Sequence, residues 1–538
     1  MRDIRHTDAP DSPMAFKNIP SRVQLDGSPS YLVEKRRLGR GGCGQVHVGT
    51  CQDGDADKIA IKFELKASSE KDMYDALAKK GVIGLPRIRF AGQLGEFYVM
   101  GMDLFDTSLL DELQRFTLLK TSMDPVQVKG YAVKAIRILE SLHSSGHVHG
   151  DVKPDNFMLK SRELHIVDLG LTAPWSADAF DAQQRPDEFQ GTIIYASVHA
   201  LLGRPPSRRD DLESLLYSLV TLLRGKLPWH KSDIATHCVQ KATTSIGQLT
   251  RGCDPAFSRF GEAVTALRFD EDPDYAALTA MFVGAQAQQA QQARKRKREP
   301  AYARGKPVWR WLAVVDREEA ALAQQTRAGV STLEIASLFR VDGFIVSAVA
   351  FDPTTKRWTV VMRAGDSAQV YHVGRDGDVI PSEWICAQWA LNYNITSIAG
   401  PLVTMTAGLS YERQSFKVDV EVPSLRWITD MWKDGFRVTT LAFVRGSWVT
   451  VMSTDTDIVE QRIELGTAFP SEGVARRLAA GFRATCCASS ATGLVVFVMS
   501  KFPSAAHAEQ DFVFAPPSSF DGGRRRVVAL AHVPTHAA

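Results

Sequence analysis

Apolar and polar positions divide this chain into three regimes. From residue 31 to 104 the apolar residues come in runs of strand length. These are Tyr31-Leu32-Val33, Ile59-Ala60-Ile61 and the run from Phe97 to a polar step at Asp103. One helix interrupts them, because Met73 and Leu77 fall on one face of the stretch 69–77. Residues 126–143 take helical spacing, with Tyr131, Ala135, Ile138, Leu139 and Leu142 on the side expected to be buried. A second helical region starts at Arg208, with acidic residues near its positive end, and stops around Leu227-Pro228-Trp229. Between the two helices lie a short apolar strand, 165–167, and a long polar stretch without period, 172–188.

Beyond Pro307 the chain repeats itself. Phe344, Tyr393, Phe436 and Phe482 each open a seven-residue run that ends at Ala350, Ala399, Ala442 and Ala488. A strand ending in Met362, Met405, Met452 or Met499 follows each run, then Gln369, Gln414, Gln461 or Gln510 with an apolar partner. A proline closes each unit, at Pro381, Pro423, Pro470 and Pro516. Residues 309–315 read as a partial first unit and 526–531 as a partial last one. Complementary fragments at the two ends predict a closed ring in which the last strand completes the first blade. A small five-bladed β-propeller is the expected form, and an open β-repeat array is the alternative. Trp358, Trp384, Trp389, Trp427, Trp432 and Trp448 are read as core rather than as a ligand cage.

Composition narrows the class. A chain of 538 residues is too long for one ordinary core, so two or three domains are expected. Hydrophobic content of 44% and charged content of 23% describe a soluble globular protein. A net charge of +3 gives no general affinity for nucleic acid or membrane. The seven cysteines are scattered, with no C-x-x-C pair, so neither a zinc site nor a disulfide framework is expected, and a reducing intracellular compartment fits. Residues 1–30 are polar and proline-rich, which predicts a disordered arm rather than a signal peptide. No run approaches the roughly 18 apolar residues of a membrane span, so no membrane partner is expected. Residues 284–293 are almost all Ala and Gln, and Arg294 to Arg298 are five consecutive cations. Such a run in an exposed linker is an import signal, a nucleic-acid contact or a solvated helix end; nuclear import is favoured.

The candidate chemistry is concentrated in the first half. In His149-Gly150-Asp151-Val152-Lys153-Pro154-Asp155-Asn156, Asp151 can accept a proton from a hydroxyl and Lys153 can offset charge on a transferring phosphoryl group. Asn156, five residues after Asp151, and Asp168, in Asp168-Leu169-Gly170 after the short strand, can hold a metal ion. Upstream, Gly39, Gly41, Gly42 and Gly44 form a turn whose amides can face phosphates, and Lys62 on the next strand can reach the same phosphates. A lone glycine-rich turn is usually just a hairpin; the lysine gives this one meaning. Glu70, early on the 69–77 helix, is the chosen partner of Lys62. Glu64, two residues along the strand, is expected beside the lysine rather than across from it. Thr192 can bond Asp151 and Lys153, and Asp211 can brace the loop from below.

These blocks, with Gly191-Thr192-Ile193-Ile194-Tyr195-Ala196-Ser197, Ser207-Arg208-Arg209-Asp210-Asp211-Leu212-Glu213-Ser214 and Leu267-Arg268-Phe269-Asp270, resemble the casein kinase I superfamily. His149-Gly150-Asp151, Asp168-Leu169-Gly170 and Arg185-Pro186-Asp187 are similar more narrowly to the nuclear photoregulatory, or histone-threonine, kinases of plants and green algae. The resemblance runs from about Tyr31 to the C-terminus and is weakest in 67–87. It implies a multidomain chain: an α+β bilobal protein-kinase fold followed by an all-β repeat domain. The expected divisions are an arm at 1–30, a kinase domain at 31–283, a linker at 284–306 and repeats at 307–538. It implies ATP and magnesium as cofactors, with Val46, Ala60 and the hinge residues Met102, Asp103 and Leu104 joining the nucleotide site. It also implies Ser/Thr acceptors in protein substrates such as histone tails or light-signalling proteins, a nuclear location, chromatin association, and protein partners for the repeats.

Two departures change what the resemblance implies. Gly150 stands where most kinases carry an arginine that pairs with a phosphorylated activation loop, which suggests activity without that phosphate. Ile194 stands where casein kinase I enzymes carry an arginine for pre-phosphorylated substrates, so primed recognition is not expected. Two other readings of the same residues are a small-molecule phosphotransferase, against which Lys153-Pro154 and the Arg208 block argue, and a scaffold with an inert kinase fold.

Overall fold

The computed structural model describes residues 19–283 except 26, 41–43, 54–56, 66–68, 120–122, 183 and 230–233, and residues 308–535 except 318–323, most of 332–343, 353–356, 366, 375–378, 468–470, 492, 504–509 and 515–524. Residues 1–18 of the expected arm, Gly41, Gly42 and the basic run Arg294 to Arg298 lie outside the described residues. The arm is expected to reach residue 30, but its last part is folded: Arg22–Val23 pairs with Tyr31 and Leu32 at the sheet edge and buries Val23.

The first lobe is a six-stranded antiparallel sheet. Its order is Arg22–Val23, Tyr31–Arg40, Gly44–Cys51, Lys58–Glu64, Phe97–Asp103 and Ile88–Leu94. Alternation sends Ile59, Ile61, Phe63, Phe97 and Val99 into one apolar layer. The other face receives the helix Glu70–Lys79, which buries Tyr74 and Leu77 against Ala60, Met100 and Met102.

The second lobe is helical. Asp124 caps the helix Pro125–Ser144 by accepting from the Val126 amide, and a proline at its first turn costs no hydrogen bond there. Ala135, Ile138, Leu139 and Leu142 are buried as their spacing predicts; Tyr131 is only half-buried, its hydroxyl bonded by Gln127. The helix Arg208–Arg224 begins in a reciprocal cap between Ser207 and Asp210 and ends at Gly225 in the left-handed conformation. It is buried along almost its whole length, at the centre of the lobe.

Among the described residues, the second half forms five three-stranded antiparallel sheets. Their middle strands are Arg357–Ala364, Leu402–Ala407, Ser447–Ser453, Val495–Lys501 and Val308–Arg317. The strands Phe344–Asp352, Tyr393–Ala399, Arg437–Val444, Arg483–Ser489 and Arg525–Thr535 touch one another from sheet to sheet, the last touching the first, so the sheets close into a ring. Closure uses both ends of the domain: Val308–Arg317 pairs with Gln510–Phe514 on one side and Arg525–Thr535 on the other. Among the described residues, short helices such as Ser382–Trp389, Leu425–Lys433 and Glu472–Ala479 lie in the connections and add to the strands the sequence predicted.

The repeated glutamine explains the repeat. Gln461 accepts from the Val438 amide (2.7 Å) and donates to the Val438 carbonyl (2.9 Å), in the neighbouring sheet. Gln369 clamps Val346, Gln414 clamps Ile395 and Gln510 clamps Ala484 in the same two-ended way. Each clamped residue immediately precedes a β-bulge, whose irregular ladder frees the backbone groups that the glutamine takes up. Trp389 and Trp432 donate to the same glutamine oxygens, while Trp358 and Trp448 are fully buried.

The halves share a core. Val198, Leu201, Leu202, Cys238 and Ala242 of the helical lobe lie in one buried cluster with Leu425, Ile428, Ile463 and Leu465 of the ring. Among the described residues, no helix is long and apolar enough to cross a membrane.

Candidate active site

Lys62 lies in the middle of its strand, paired with Val46 on one side and Met100 on the other. Its Nζ is 2.5 Å from Glu70 Oε2, 2.9 Å from Glu64 Oε1 and 3.7 Å from Asp168 Oδ1. Glu64, expected only beside the lysine, thus reaches it as well. Residues two apart on a strand share a face, and a four-carbon stem can bend back along it. Burial alone would lower the Lys62 pKa, but attraction to Glu70, Asp168 and Glu64 outweighs it and raises the value. Burial raises the pKa of Glu70, with Lys62 opposing.

Glu70 has a second role. Its Oε1 accepts from the Leu169 amide (3.2 Å), and Tyr74, one turn later, accepts from the Asp168 amide at 3.0 Å. One helix face therefore holds both Lys62 and the Asp168-Leu169 backbone. Sequence reasoning missed Tyr74; its place four residues after Glu70 was the available signal. Asp168 has φ +65°, a left-handed conformation that Asp tolerates, and its carboxylate remains 49% exposed.

On the opposite side of the cleft, Asp151 accepts from Lys153 Nζ through Oδ2 (2.6 Å) and from the Thr192 amide through Oδ1 (2.9 Å). Lys153 also donates to the Thr192 hydroxyl at 3.0 Å. Asn156 Nδ2 donates to the Asp151 carbonyl (2.9 Å), which directs the amide and leaves its oxygen as the remaining acceptor. Asp211 accepts from the amides of His149 (2.7 Å) and Gly150 (2.9 Å) and pairs with His143 at 2.8 Å. Burial would raise the Asp211 pKa, but the His143 hydrogen bond and charge, with the His149 amide, hold it below the usual range. Gly150 has φ +80°, and a side chain there would meet the Leu171 carbonyl, so the loop in this form excludes an arginine.

Of the residues expected at a nucleotide site, Ala60, Met102, Val46 and Leu104 gather in one apolar cluster with Leu169. Gly39 and Gly44 lie in the two strands that flank the glycine turn. Asp103, expected at the hinge, is largely committed: its amide donates to the Arg87 carbonyl, and its carboxylate takes the Arg87 amide and the Arg89 guanidinium. Asp103 ends its strand, paired with Ile59, and Leu104 and Phe105 follow the strand end. Phe105 was not foreseen, and its ring packs on His165 at 5.0 Å. Ile194 packs on the lobe core, and its carbonyl accepts from Trp229. Lys241, also not foreseen, is fully buried and donates to the carbonyls of Ile193 and Ala196, both at 2.6 Å.

Comparison with known proteins agrees with this geometry. Residues 32–267 match the protein kinase domain, and residues 283–512 match a domain of unknown function, DUF7477. The chain is similar to casein kinase 1-like protein HD16 of Oryza sativa subsp. japonica, 36% identical over 492 residues that cover 80% of this chain and 68% of that protein.

Proposed function

The chain belongs to the casein kinase 1-like serine/threonine protein kinases, and on that premise we propose that it phosphorylates nuclear proteins, histone tails or light-signalling proteins among them, with magnesium as the metal. Its kinase domain implies use of ATP. The observation that carries the mechanism is the facing arrangement of Lys62–Glu70 and Asp151–Lys153–Thr192, with Asp168 within reach of Lys62.

In this reading Lys62, fixed by Glu70, orients the nucleotide phosphates. Asp151 accepts the proton of the Ser or Thr hydroxyl, and Lys153 offsets charge on the phosphoryl group in transit. Asp211 keeps the loop backbone in place. Asn156 Oδ1 and the half-exposed Asp168 carboxylate would hold the metal; two oxygen donors, with phosphates completing the shell, fit a hard cation such as magnesium. When bound, that ion supplies neutralisation of phosphate charge. Val46, Ala60, Met102 and Leu104 would enclose the adenine. Ile194 offers no charge to a primed substrate. We divide the chain as kinase domain 31–283, linker 284–306 and repeat domain 307–538, and we read the ring as a five-bladed propeller that binds protein partners. The basic run Arg294 to Arg298 supports nuclear import and chromatin association.

The test is labelled-phosphate transfer from ATP to histones and casein with magnesium. Signal on Ser or Thr should fall about 100- to 10,000-fold in Asp151→Asn with the fold intact. Equal signal from the two proteins would overturn the assignment of Asp151. Deletion of residues 294–298 should move the protein out of the nucleus, and unchanged nuclear retention would reject the import reading.

A further inference from the structure

The stretch before Gly191, corresponding to an activation segment, is held by the ring. Arg477 of the ring donates to the Asp181 carboxylate and to the Asp181 carbonyl, both at 3.0 Å, and to Glu464 at 2.8 Å. Glu464 also pairs with Arg204 of the helical lobe, whose other arm donates to the Phe180 carbonyl at 3.0 Å. The Phe180 ring lies between two guanidinium groups, Arg204 at 4.3 Å and Arg476 of the ring at 4.2 Å. Gln184 bonds both backbone groups of Leu465, accepting at 2.6 Å and donating at 3.4 Å, the same two-ended clamp that the ring glutamines use on one another. Arg209–Glu472 (2.8 Å) and Arg476–Asp270 (2.9 Å) extend the network. A side chain at Gly473 would meet the Glu464 carboxylate and the Arg204 guanidinium, so it would have to displace this pair.

The catalytic loop, meanwhile, has no arginine with which to hold a loop phosphate, and its Gly150 conformation leaves no room for one. From Gln184 the chain runs on to Phe189 and Ile193, which pack on the shared interdomain cluster. Between them lies Thr192, which bonds both Asp151 and Lys153. We infer that the ring is a permanent brace for this segment, and that Arg477 and Glu464 are positioning residues that act through Asp181, Phe180 and Thr192 to hold the Asp151 site ready for a protein hydroxyl without loop phosphorylation. This rests on the kinase reading above.

The test uses the full chain, with casein as the probe. Arg477→Met removes the two bonds to Asp181. Asp181→Ala is the control against misfolding, because that side chain is 71% exposed. Arg477→Met should lower kcat/KM for casein by about tenfold or more while KM for ATP stays within about twofold. Amide exchange in 177–188 should quicken, with none in the helix Pro125–Ser144. Asp181→Ala should shift both readouts the same way by less, and Arg477→Lys should recover part of the loss. Parental kcat/KM in a folded Arg477→Met chain, or unchanged exchange in 177–188, overturns the brace. A parent chain inactive on casein would count against the substrate reading alone; exchange in 177–188 then decides the brace by the same criterion.

Discussion

The candidate catalytic cleft and the interdomain contact are both built from arginine, lysine and carboxylates, but they leave those charges in opposite states. At the contact, Arg204 and Glu464 are 4% and 1% exposed, and Glu464 is shared between two guanidinium groups. In the cleft, Asp168 stands half-exposed and Lys62 faces three carboxylates at once. A contact that only has to hold can satisfy its charges internally. A site that must receive phosphates and a cation keeps charge oriented and incompletely matched, because only unsatisfied groups can bind a substrate.

Four perturbations sharpen this contrast, in falling order of effect. Lys62→Met should reduce phosphoryl transfer about 100- to 1,000-fold by initial rates, and a melting curve should record separately the cost of leaving Glu70 and Glu64 buried without their cation. Glu464→Ala should act on both readouts: stranding Arg204 and Arg477 should destabilise the chain by about 3–5 kcal/mol in denaturant titration, beside the loss of turnover expected of a positioning residue. Gln461→Ala should cost about 2–4 kcal/mol, since the Val438 amide and carbonyl would lose their buried partner. Arg185→Ala, which breaks a pair about half-exposed on both sides, should change stability by less than about 0.5 kcal/mol. Equal effects from Glu464→Ala and Arg185→Ala would erase the distinction between buried and solvated pairs.

Acid provides a further separation. Burial would raise the Glu472 pKa, but Arg209 and Arg476 outweigh it and lower the value from its ordinary 4.5. A carboxylate depressed in the folded state adds stability above its unfolded pKa and loses it as pH falls through the folded one. Protection of the interdomain contact from exchange should therefore persist at about pH 5 and decline only below about pH 4. Loss of protection already near pH 6 would assign the contact to other groups.

Much of the first half was legible because its chemistry is local. Asp151, Lys153 and Asn156 lie within six residues, and no other loop in the chain has that spacing. The choice of Glu70 over Glu64 followed from strand geometry, yet both carboxylates reach Lys62, since side-chain length blurs what backbone period separates. Asp103 is expected at the hinge from its position at the strand end, whereas the Arg87 carbonyl that takes up its amide comes from the loop just before a neighbouring strand.

In the second half the sequence determined the period of the repeat, its glutamine and its methionine, because each sheet must bury the same face and meet the same neighbour. It also determined that the two ends complement each other. Only the tertiary structure decided what the glutamine bonds, since the bulged backbone groups it clamps belong to the preceding sheet. Only the tertiary structure decided that the ring grips the segment before Thr192. Arg477 and Asp181 are 296 residues apart, and no local pattern records a pairing that forms only once both halves have folded and packed.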